Sequence, residues 1–344
     1  MKYGSLWWQM LVMFIALTAM NTGARADQPL KIRQGWGVTT TFAPMIFSAP
    51  KTLGLKHYGK SYVVEPMHFV GSSPELTAIA SGDVDIITIA FSTFPLAVEN
   101  AHLTDLRIIA DGFQDGVDNY LSQPYIVLKS SNIKSVKDLK GKVVAINVIG
   151  GAVDIAARAM LARAGLVAGK DYTIIEGPFP TLPAVLYEGK AALISDVPPF
   201  IYNPEFEAKT RTLFTMKDAM GRSQLIMLAA RKGFLEKHRA ALEGFFEDLV
   251  IGTRWMEDPA HRKQAIEVAA HFAKAPAKRF ASYYLTKKDE YRDPDCLPDI
   301  EALQRNINTE QKLGFIKEPL DVRKYVDLSF VRQAVARLKR DQGK

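Results

Sequence analysis

Small polar residues follow apolar segments at several points of the chain, in an arrangement that presents hydrogen-bond donors to a ligand. Glycine lets a ligand approach the backbone closely, and serine or threonine adds a hydroxyl to its own N–H group. Where a helix follows, its N-terminus carries roughly half a positive charge and can hold an anionic group without an arginine. The candidate ligand-binding residues of these turns are Trp36, Gly37, Thr39 and Thr40; Ser72 and Ser73; Phe91 and Ser92; Asn147, Gly150, Gly151 and Ala152; and Asp196.

Helix capping is the alternative interpretation of each turn. Ser73 is followed by Pro74, and a serine cap before a proline at the first helical position is what capping alone selects. For a single turn, capping is the simpler explanation. Four or five such turns at the same end of parallel strands favour a binding site, in which the capping atoms also face a solute.

Apolar strand segments alternate with helical segments along most of the chain, which predicts an α/β fold with mostly parallel sheets. Open sheets of this kind bind ligands beyond the carboxyl ends of their strands. We predict helices at about 43–53, 76–81, from 93, at 152–164, and from 234 almost to the end, with breaks at prolines. We predict strands at residues 30–36, 62–70, 85–90, 106–113, 124–129, 142–148, 172–177, 191–197 and 225–230.

Two changes of composition divide this pattern into two lobes. A polar stretch at 114–119 ends the first α/β set, and the segment 225–230 returns to it. We therefore expect a first lobe built from residues 27–120 and 224–344, with a second lobe, 121–223, inserted between them. A cleft between the lobes would collect the polar turns, and aromatic residues near them, Phe179 among them, could wall a pocket for an organic ligand.

The N-terminus has the three regions of a secretory signal peptide. Lys2 supplies the positive charge, residues 11–20 the apolar stretch, and Ala24-Arg25-Ala26 an A-x-A cleavage site. The apolar stretch is shorter than the about 20 residues that a spanning helix needs. We expect cleavage after residue 26 and export to the periplasm.

The charge distribution, the cysteine content and the missing motifs argue against several other classes of protein. The formal net charge is +7, but the basic clusters are not interleaved with aromatic residues, so we interpret them as solvated helix faces and expect no nucleic-acid partner. The single cysteine, Cys296, excludes an internal disulfide and cysteine-based zinc or iron–sulfur sites. The histidines lack metal-ligand spacing, and no G-x-S-x-G, Walker or G-x-G-x-x-G motif occurs. We expect neither a cofactor nor a metal.

The chain resembles the solute-binding proteins of nitrate/sulfonate/taurine-type ABC importers. The resemblance spans the chain after the signal peptide and rests on four blocks: GSSPELTAIASGDVDI (71–86), SVKDLKGKVVAI (135–146), LPAVLYEGKAALISDVPP (182–199) and GFIKEPLDVRKYVD (314–327). It implies the two-lobe periplasmic binding protein fold of type II, a cleft lined by the turns named above, a monomer, and an ABC permease with its ATPase as partners. The family includes binders of sulfonates, nitrate, aromatic acids and thiamine pyrimidine precursors.

Two departures from the family pattern concern the second lobe. Lys190-Ala191-Ala192 replaces a small–acidic pattern, and Pro198-Pro199 stands where a glutamate–proline pair is usual. Related pyrimidine synthases are enzymes with a cysteine-rich motif, which this chain lacks. An enzyme of that branch and a ligand-sensing subunit for a membrane receptor remain the alternatives to a transport role. The aromatic residues and the absence of arginine from the first-lobe turns favour an organic solute with a carboxylate or sulfonate, whereas Asp196 would suit an amine or ring N–H.

Overall fold

A computed structural model describes residues 28–37 and 41–342, and its strands form two five-stranded sheets. The predicted signal peptide, residues 1–26, lies outside the described residues, as do Thr39 and Thr40. The strands are β1 (Leu30–Trp36), β2 (Tyr62–His68), β3 (Ile86–Ala90), β4 (Leu106–Asp115), β5 (Pro124–Leu128), β6 (Lys142–Ile146), β7 (Tyr172–Glu176), β8 (Leu193–Ser195), β9 (Thr210–Thr215) and β10 (Ser223–Arg231).

The two sheets share one plan. The first has the order β2-β1-β3-β10-β4 and the second β7-β6-β8-β5-β9. In each sheet one strand runs antiparallel to both of its neighbours: β10 in the first sheet and β5 in the second. Each is the first strand after the chain has crossed from the other sheet, through residues 116–123 or 216–222. The other four strands of each sheet end at one common edge.

Helices flank both sheets, so the predicted α/β fold class is confirmed. Short 3₁₀ turns supplement them, for example Met45–Ser48 and Phe200–Tyr202. None of the helices in the described part of the chain is long and apolar enough to cross a membrane. The helices are α1 (Ser72–Ser81), α2 (Thr93–Glu99), α3 (Ala152–Arg163), α4 (Leu182–Tyr187), α5 (Pro204–Lys209), α6 (Met216–Met220), α7 (Lys232–Lys237), α8 (Arg239–Glu257), α9 (Arg262–Phe272), α10 (Lys278–Ala281), α11 (Ile300–Lys312) and α12 (Ser329–Gln342).

One apolar cluster is continuous across both sheets. It includes Phe91 and Leu225 at the end of the first sheet, Leu303 of α11, and Tyr125 and Val153 of the second sheet and its helix. Burying side chains of this size contributes about 1.5–3 kcal/mol each to the free energy of unfolding. The facing parts of the two sheets are therefore joined by packing as well as by the chain crossings.

A second cluster lies on the outer face of the first sheet. The helices α8, α9 and α12 cover it with residues such as Phe245, Phe246 and Phe330, and the 3₁₀ turn packs Ile46 beneath them. This layer explains why the C-terminal third of the chain is largely helical.

One helix prediction was wrong, and one predicted break in the C-terminal part is longer than its proline alone indicates. The segment at 43–53 forms only the 3₁₀ turn Met45–Ser48, because Pro44 and Pro50 enclose it and remove backbone donors. The C-terminal part is interrupted by an irregular segment at 282–299. There, carboxylates rather than helical carbonyls accept backbone N–H groups: Asp293 bonds Asp295 and Leu297, and Asp289 bonds Leu285.

Helix α1 begins four residues earlier than predicted, and Ser73 is not its cap. Gly71 is the N-cap, with a φ of 95° that glycine adopts readily. In the first turn, Glu75 turns inward and becomes buried against β3. Its Oε2 accepts a hydrogen bond of 2.7 Å from the backbone N–H of Thr88, and Thr88 Oγ1 donates to Oε1 at 3.1 Å. These bonds fix the start of α1 on the sheet.

Gly35→Ala should destabilise the protein because the carboxylate of Glu75 occupies the required space. A Cβ at Gly35 would lie 2.6 Å from Glu75 Oε2, and moving that group breaks its bonds to Thr88. We expect a loss of about 1–3 kcal/mol in the free energy of unfolding, measured by urea denaturation. Gly233→Ala in α7 is the control, since a Cβ there contacts nothing within 4 Å. Its unfolding free energy should stay equal or rise, and equal losses in both variants would contradict this account.

Candidate functional site

The end of β1 is packed on its outer side. The ring of Trp36 lies 4.5 Å from that of His68 and 4.7 Å from that of Phe272, between the neighbouring strand and α9. Gly37 follows at the strand end, where a Cβ would come within 3.7 Å of Glu75 Oε1. The predicted donors Thr39 and Thr40 lie outside the described residues. Trp36 is half-buried and already has two ring partners in the first lobe.

The turn after β2 leads directly into α1. Ser72 Oγ accepts a hydrogen bond of 3.1 Å from the N–H of Ala90, which ties the start of α1 to the end of β3. The hydroxyl hydrogen of Ser72 is not used in that bond. The N–H groups of Ser72 and Ser73 occupy the first helical positions, which have no acceptor within their own helix. Ser73 is exposed, so this strand end presents backbone donors.

The end of β3 carries one buried aromatic residue and one buried hydroxyl. Phe91 is completely buried in the core that joins the sheets, and its N–H donates to Leu225 O. Ser92 is the N-cap residue of α2 and is 1% exposed. Its Oγ finds no hydrogen-bond partner among the described residues. The end of β3 therefore carries a buried hydroxyl without a partner in the described part of the chain.

In the second lobe, the turn after β6 uses most of its own donors. The N–H of Ile149 bonds Glu176 Oε2 at 2.8 Å, that of Gly150 bonds Asp154 Oδ2 at 2.9 Å, and that of Gly151 bonds Val148 O. The donors that remain for a ligand are in the first turn of α3, which begins at Ala152.

Asn147, at the start of that turn, has a buried side-chain carbonyl. Its Oδ1 has no partner within the described part of the chain. An amide offers both an acceptor and two donors, so Asn147 can bond either polarity of ligand group.

Asp196 lies at the end of β8 and is completely buried. Its Oδ1 accepts from the N–H of Val197 at 2.8 Å, while Oδ2 has no partner in the described residues. Burial raises the pKa of this carboxyl to about 8, and the bond from Val197 lowers it only in part. Gln123, in the first crossing, donates to Asp196 O at 2.8 Å and so fixes the residue beside the junction of the lobes.

The turn that follows Asp196 contacts the first lobe. Tyr202 donates its hydroxyl to Lys288 O at 2.6 Å, and its ring stacks on that of Tyr283 at 5.6 Å. Phe179, the remaining predicted residue, starts a 3₁₀ turn after β7 and packs, partly buried, against the core of the second lobe. Asp196 is thus enclosed between the crossing and this contact.

Several buried polar atoms are left unsatisfied near the strand ends. Such atoms are uncommon in native structures because each costs about 1–3 kcal/mol when its partner is missing. Three belong to residues that the sequence predicted: Ser92, Asn147 and Asp196. Three others were missed: Gln34 on β1, Thr41 after it, and Glu310 on α11.

Glu310 is the most informative of the missed residues. Asn306, one turn earlier on the buried face of α11, bonds Ser223 Oγ at 3.0 Å and the N–H of Gln224 at 3.1 Å. These residues begin β10, at the edge of the first sheet where β3 ends. Beyond Glu310, Phe315 lies 5.4 Å beneath the guanidinium of Arg158 in the second lobe. Along the chain, Glu310 therefore lies between Asn306, which bonds the first sheet, and Phe315, which contacts the second lobe.

A pattern in the sequence could have identified this residue. Leu303, Asn306, Ile307 and Glu310 follow the i, i+3, i+4, i+7 spacing of a buried helix face, and a glutamate at the end of such a face is unusual. Glu310 is 1% exposed, and burial raises the pKa of its carboxyl from the ordinary 4.5 to about 9.

Exposed apolar side chains accompany these polar groups. Val70 follows β2 with 88% of its surface exposed, and Val148 and Ile149 follow β6 with 40% and 51%. Large aliphatic residues at the ends of strands in both lobes are available to contact the apolar body of a solute.

A wide groove of about 600 Å³ lies elsewhere, beside the end of α8. Its lining includes Arg254 and Asp295, which pair with each other at 2.6 Å, and the charged residues Glu257 and Lys339. Because its charged lining is already partly paired, we do not assign the solute site to it.

Comparisons with known proteins agree with this architecture. The model of the NMT1-like family matches residues 25–270. No curated protein sequence matches the chain significantly.

Solved structures share the fold at low sequence identity. The periplasmic aliphatic sulphonate binding protein SsuA from Escherichia coli has a TM-score of 0.66 and 19% identity, over 86% of this chain and 97% of SsuA. The periplasmic nitrate-binding protein NrtA from Synechocystis PCC 6803 has a TM-score of 0.68 and 16% identity, over 90% of this chain and 89% of NrtA. The desulfurization enzyme DSZB gives 0.62 and 11%, over 90% and 99%. The fold is that of the two-lobe periplasmic binding proteins, as predicted.

Glu310→Gln should make the stability of the protein less dependent on pH. The folded state holds the proton of Glu310 up to about pH 9, whereas an unfolded glutamate releases it near 4.5, so native stability falls as the pH rises between these values. Glutamine removes this loss. We expect equal unfolding free energies near pH 4.5 and a gain on the order of 2 kcal/mol for the variant at pH 7 to 8. Glu301→Gln, on the exposed side of α11, is the control. A variant no more stable than the native protein at pH 8 would contradict the buried, unpaired state of Glu310.

Proposed function

The chain belongs to the NMT1-like family, and we propose that it is the periplasmic solute-binding component of an ABC importer. One observation carries the proposal: buried polar atoms without protein partners stand at the strand ends of both sheets, at Ser92, Asn147 and Asp196. A protein that only needed to fold would be more stable with these groups satisfied or replaced. Their retention is accounted for if a solute completes them.

Capture would occur by closure of the two lobes. We take residues 27–120 with 224–344 as the first lobe and 121–223 as the second. The crossings contain Gly116 and Gly221 at positive φ, 74° and 72°, where backbone angles are least restricted. Rotation about the two crossings would bring the strand ends together over a solute.

The solute in this proposal is a small organic anion, a sulfonate or a carboxylate. The free N–H groups of α1 and α3 and the hydroxyl of Ser92 supply donors to its charged end. The exposed aliphatic residues Val70, Val148 and Ile149 supply contacts for its body. SsuA and NrtA, similar in fold, are described as sulphonate-binding and nitrate-binding, which is consistent with an anionic group.

The proposed importer role also implies where the protein acts and which proteins it delivers its solute to. The protein would be exported with removal of residues 1–26, act as a monomer in the periplasm, and deliver its solute to a permease driven by an ATPase. Three of the similar structures are described as periplasmic binding proteins or as a ligand-binding component of an import system.

An enzyme is the second candidate, because the desulfurization enzyme DSZB has the same fold. We propose that this chain is not one. Its only thiol, Cys296, is 3% exposed and donates to Thr253 Oγ1 at 3.3 Å, and burial raises its pKa well above the ordinary range of thiols. A thiol held in this form is a poor nucleophile. Among residues 28–37 and 41–342, no three His, Cys, Asp or Glu side chains are grouped to hold a metal.

A thermal-shift screen tests the binding role. The purified protein would be heated with sulfonates, nitrate, aliphatic and aromatic carboxylates, and pyrimidines. A ligand at a hundred times its dissociation constant adds about 2.7 kcal/mol to the stability of the folded state. We expect one class of organic anion to raise the midpoint by roughly 5 °C or more. Turnover of a bound compound, followed by mass spectrometry, would instead support the enzyme candidate.

Ser92→Ala should weaken binding without loss of stability. The Ser92 hydroxyl has no partner in the described structure, so its removal leaves no protein group unsatisfied, whereas a bound solute would lose a hydrogen bond. We expect about a tenfold rise in the dissociation constant of the compound identified in the screen, measured by isothermal titration calorimetry. Ser130→Ala, in an exposed turn after β5 at the opposite edge of the second sheet, is the control. Equal affinities for both variants would remove Ser92 from the site.

A further inference from the structure

A segment of the first lobe contacts the second lobe beside the two chain crossings. It comprises residues 283–292, between α10 and α11, and we call it the inter-lobe strap. Asp289 O accepts a hydrogen bond of 3.1 Å from the N–H of Leu121, in the first crossing. Lys288 O accepts one of 2.6 Å from the hydroxyl of Tyr202, in the second lobe. The strap is therefore a third connection between the lobes, made by non-covalent contacts.

Aromatic and cationic side chains surround the bond from Tyr202. Its ring stacks on that of Tyr283 with the centroids 5.6 Å apart, and the ammonium of Lys288 lies 5.3 Å from the same ring. Just before the strap, the guanidinium of Arg279 lies 5.8 Å from the ring of Phe200. Burial raises the pKa of Tyr202, so its hydroxyl keeps the hydrogen that it donates. The turn after β8 is thus fixed to the first lobe by a hydrogen bond and by ring contacts.

The other end of the strap holds the segment that follows β1. The guanidinium of Arg292 lies 4.3 Å from the ring of Phe42, just after the predicted first-lobe donors. Arg292 is 3% exposed, and its Nη1 pairs with Asp289 Oδ2 at 3.1 Å and with Glu257 Oε1 at 3.4 Å. A planar guanidinium that is both stacked and paired has little freedom to move.

The buried carboxylate of Asp289 holds the strap in shape. Its Oδ2 accepts a hydrogen bond of 2.9 Å from the N–H of Leu285, in addition to the bond from Arg292. Breaking a buried ion pair leaves a charge without compensation, so this arrangement resists distortion. Because the main-chain oxygen of the same residue bonds Leu121, the stack on Phe42 and the bond to the crossing are joined through one residue.

We propose that the inter-lobe strap aligns the two walls of the solute site before a solute arrives, and that Tyr202 is the positioning residue through which it holds the second lobe. The inference rests on the proposed function, from which it takes the lobes and the site. The hydroxyl of Tyr202 is already bonded within the protein, so Tyr202 acts through the turn that begins at Asp196. Walls that are already aligned lose less conformational freedom when a solute binds. Loss of the strap contact should therefore lower the affinity for the solute.

Distances between the lobes test the strap without any solute. Spin labels are attached to the purified protein at Lys51→Cys in the first lobe and Lys170→Cys in the second, both at exposed positions. The native Cys296 is 3% exposed and stays unlabelled. Pulsed electron–electron double resonance then gives the distribution of distances between the two labels.

The distribution is compared between native Tyr202 and two substitutions. Tyr202→Phe keeps the ring and loses the bond to Lys288 O, whereas Tyr202→Ala loses the ring stack as well. We expect the ratio of the native distance to wider separations to fall about fivefold in Tyr202→Phe and further in Tyr202→Ala. Tyr187→Phe is the matched control, because the ring of Tyr187 contacts Phe206 and Lys209 within the second lobe.

A binding measurement on the same variants adds the effect on the solute. For the compound identified in the thermal-shift screen, we expect the dissociation constant of Tyr202→Phe to rise about fivefold, mainly through faster release. A distribution in Tyr202→Ala equal to that of the native protein, or an equal change in Tyr187→Phe, would overturn the inference and leave the solute-binding role intact. A screen without any ligand would contradict the proposed function, and the distances would still decide whether the strap aligns the lobes.

Discussion

A single buried carboxylate, that of Asp115, joins the two lobes at their crossings. It accepts hydrogen bonds of 2.7 Å from the N–H of Gln123 and from Ser122 Oγ, both in the first crossing. Ser122 Oγ in turn accepts from the N–H of Lys217 in the return crossing, at 2.9 Å. Burial raises the pKa of Asp115 to about 6, against these bonds and the charge of Lys217, which lower it. The carboxylate is therefore largely ionised at neutral pH, and it holds both crossings at once.

The hydrogen bonds around Asp115 extend to the candidate site residue Asp196. The side chain of Gln123, whose backbone is fixed by Asp115, holds Ser195 and Asp196 at the end of β8. On the first lobe, Asn306 holds α11 to the start of β10 and so places Glu310. Satisfied polar groups near the crossings thus position unsatisfied ones at the strand ends. Such a division keeps the scaffold rigid, while the groups that we propose for a solute carry a cost in stability.

The sequence predicted the parts of the structure that depend on local pattern. Strands such as β1 coincide with their apolar segments, and Ser92, Asn147 and Asp196 lie at strand ends because polar residues after an apolar segment are visible in sequence. Their role in binding stays a prediction. The start of α1 was missed because the φ of Gly71 and the inward turn of Glu75 depend on contact with β3. The prediction of a helix at 43–53 did not take account of the two prolines inside that segment, Pro44 and Pro50.

Other features depend on distant parts of the chain. Glu310 lies more than two hundred residues from Ser92 in sequence, and only the packing of α11 across β10 brings its helix face to the same edge. The ring contacts of Trp36 with His68 and Phe272 could not be predicted from the sequence either, because Phe272 belongs to a helix far along the chain. The sequence pattern therefore predicted where strands end. The buried carboxyl of Glu310 and the ring partners of Trp36 could be found only in the tertiary structure.

The position of β10 has a consequence for how the protein is made. This strand lies between β3 and β4 and contacts both, yet it follows the whole second lobe in the chain. The first sheet therefore has a gap between β3 and β4 until about residue 231 has been synthesised, whereas the second sheet is complete by Thr215. The second sheet can form first, whereas β4 can join β2, β1 and β3 in one sheet only after β10 has been made. During synthesis the first lobe can therefore complete its sheet only after the chain has returned from the second lobe.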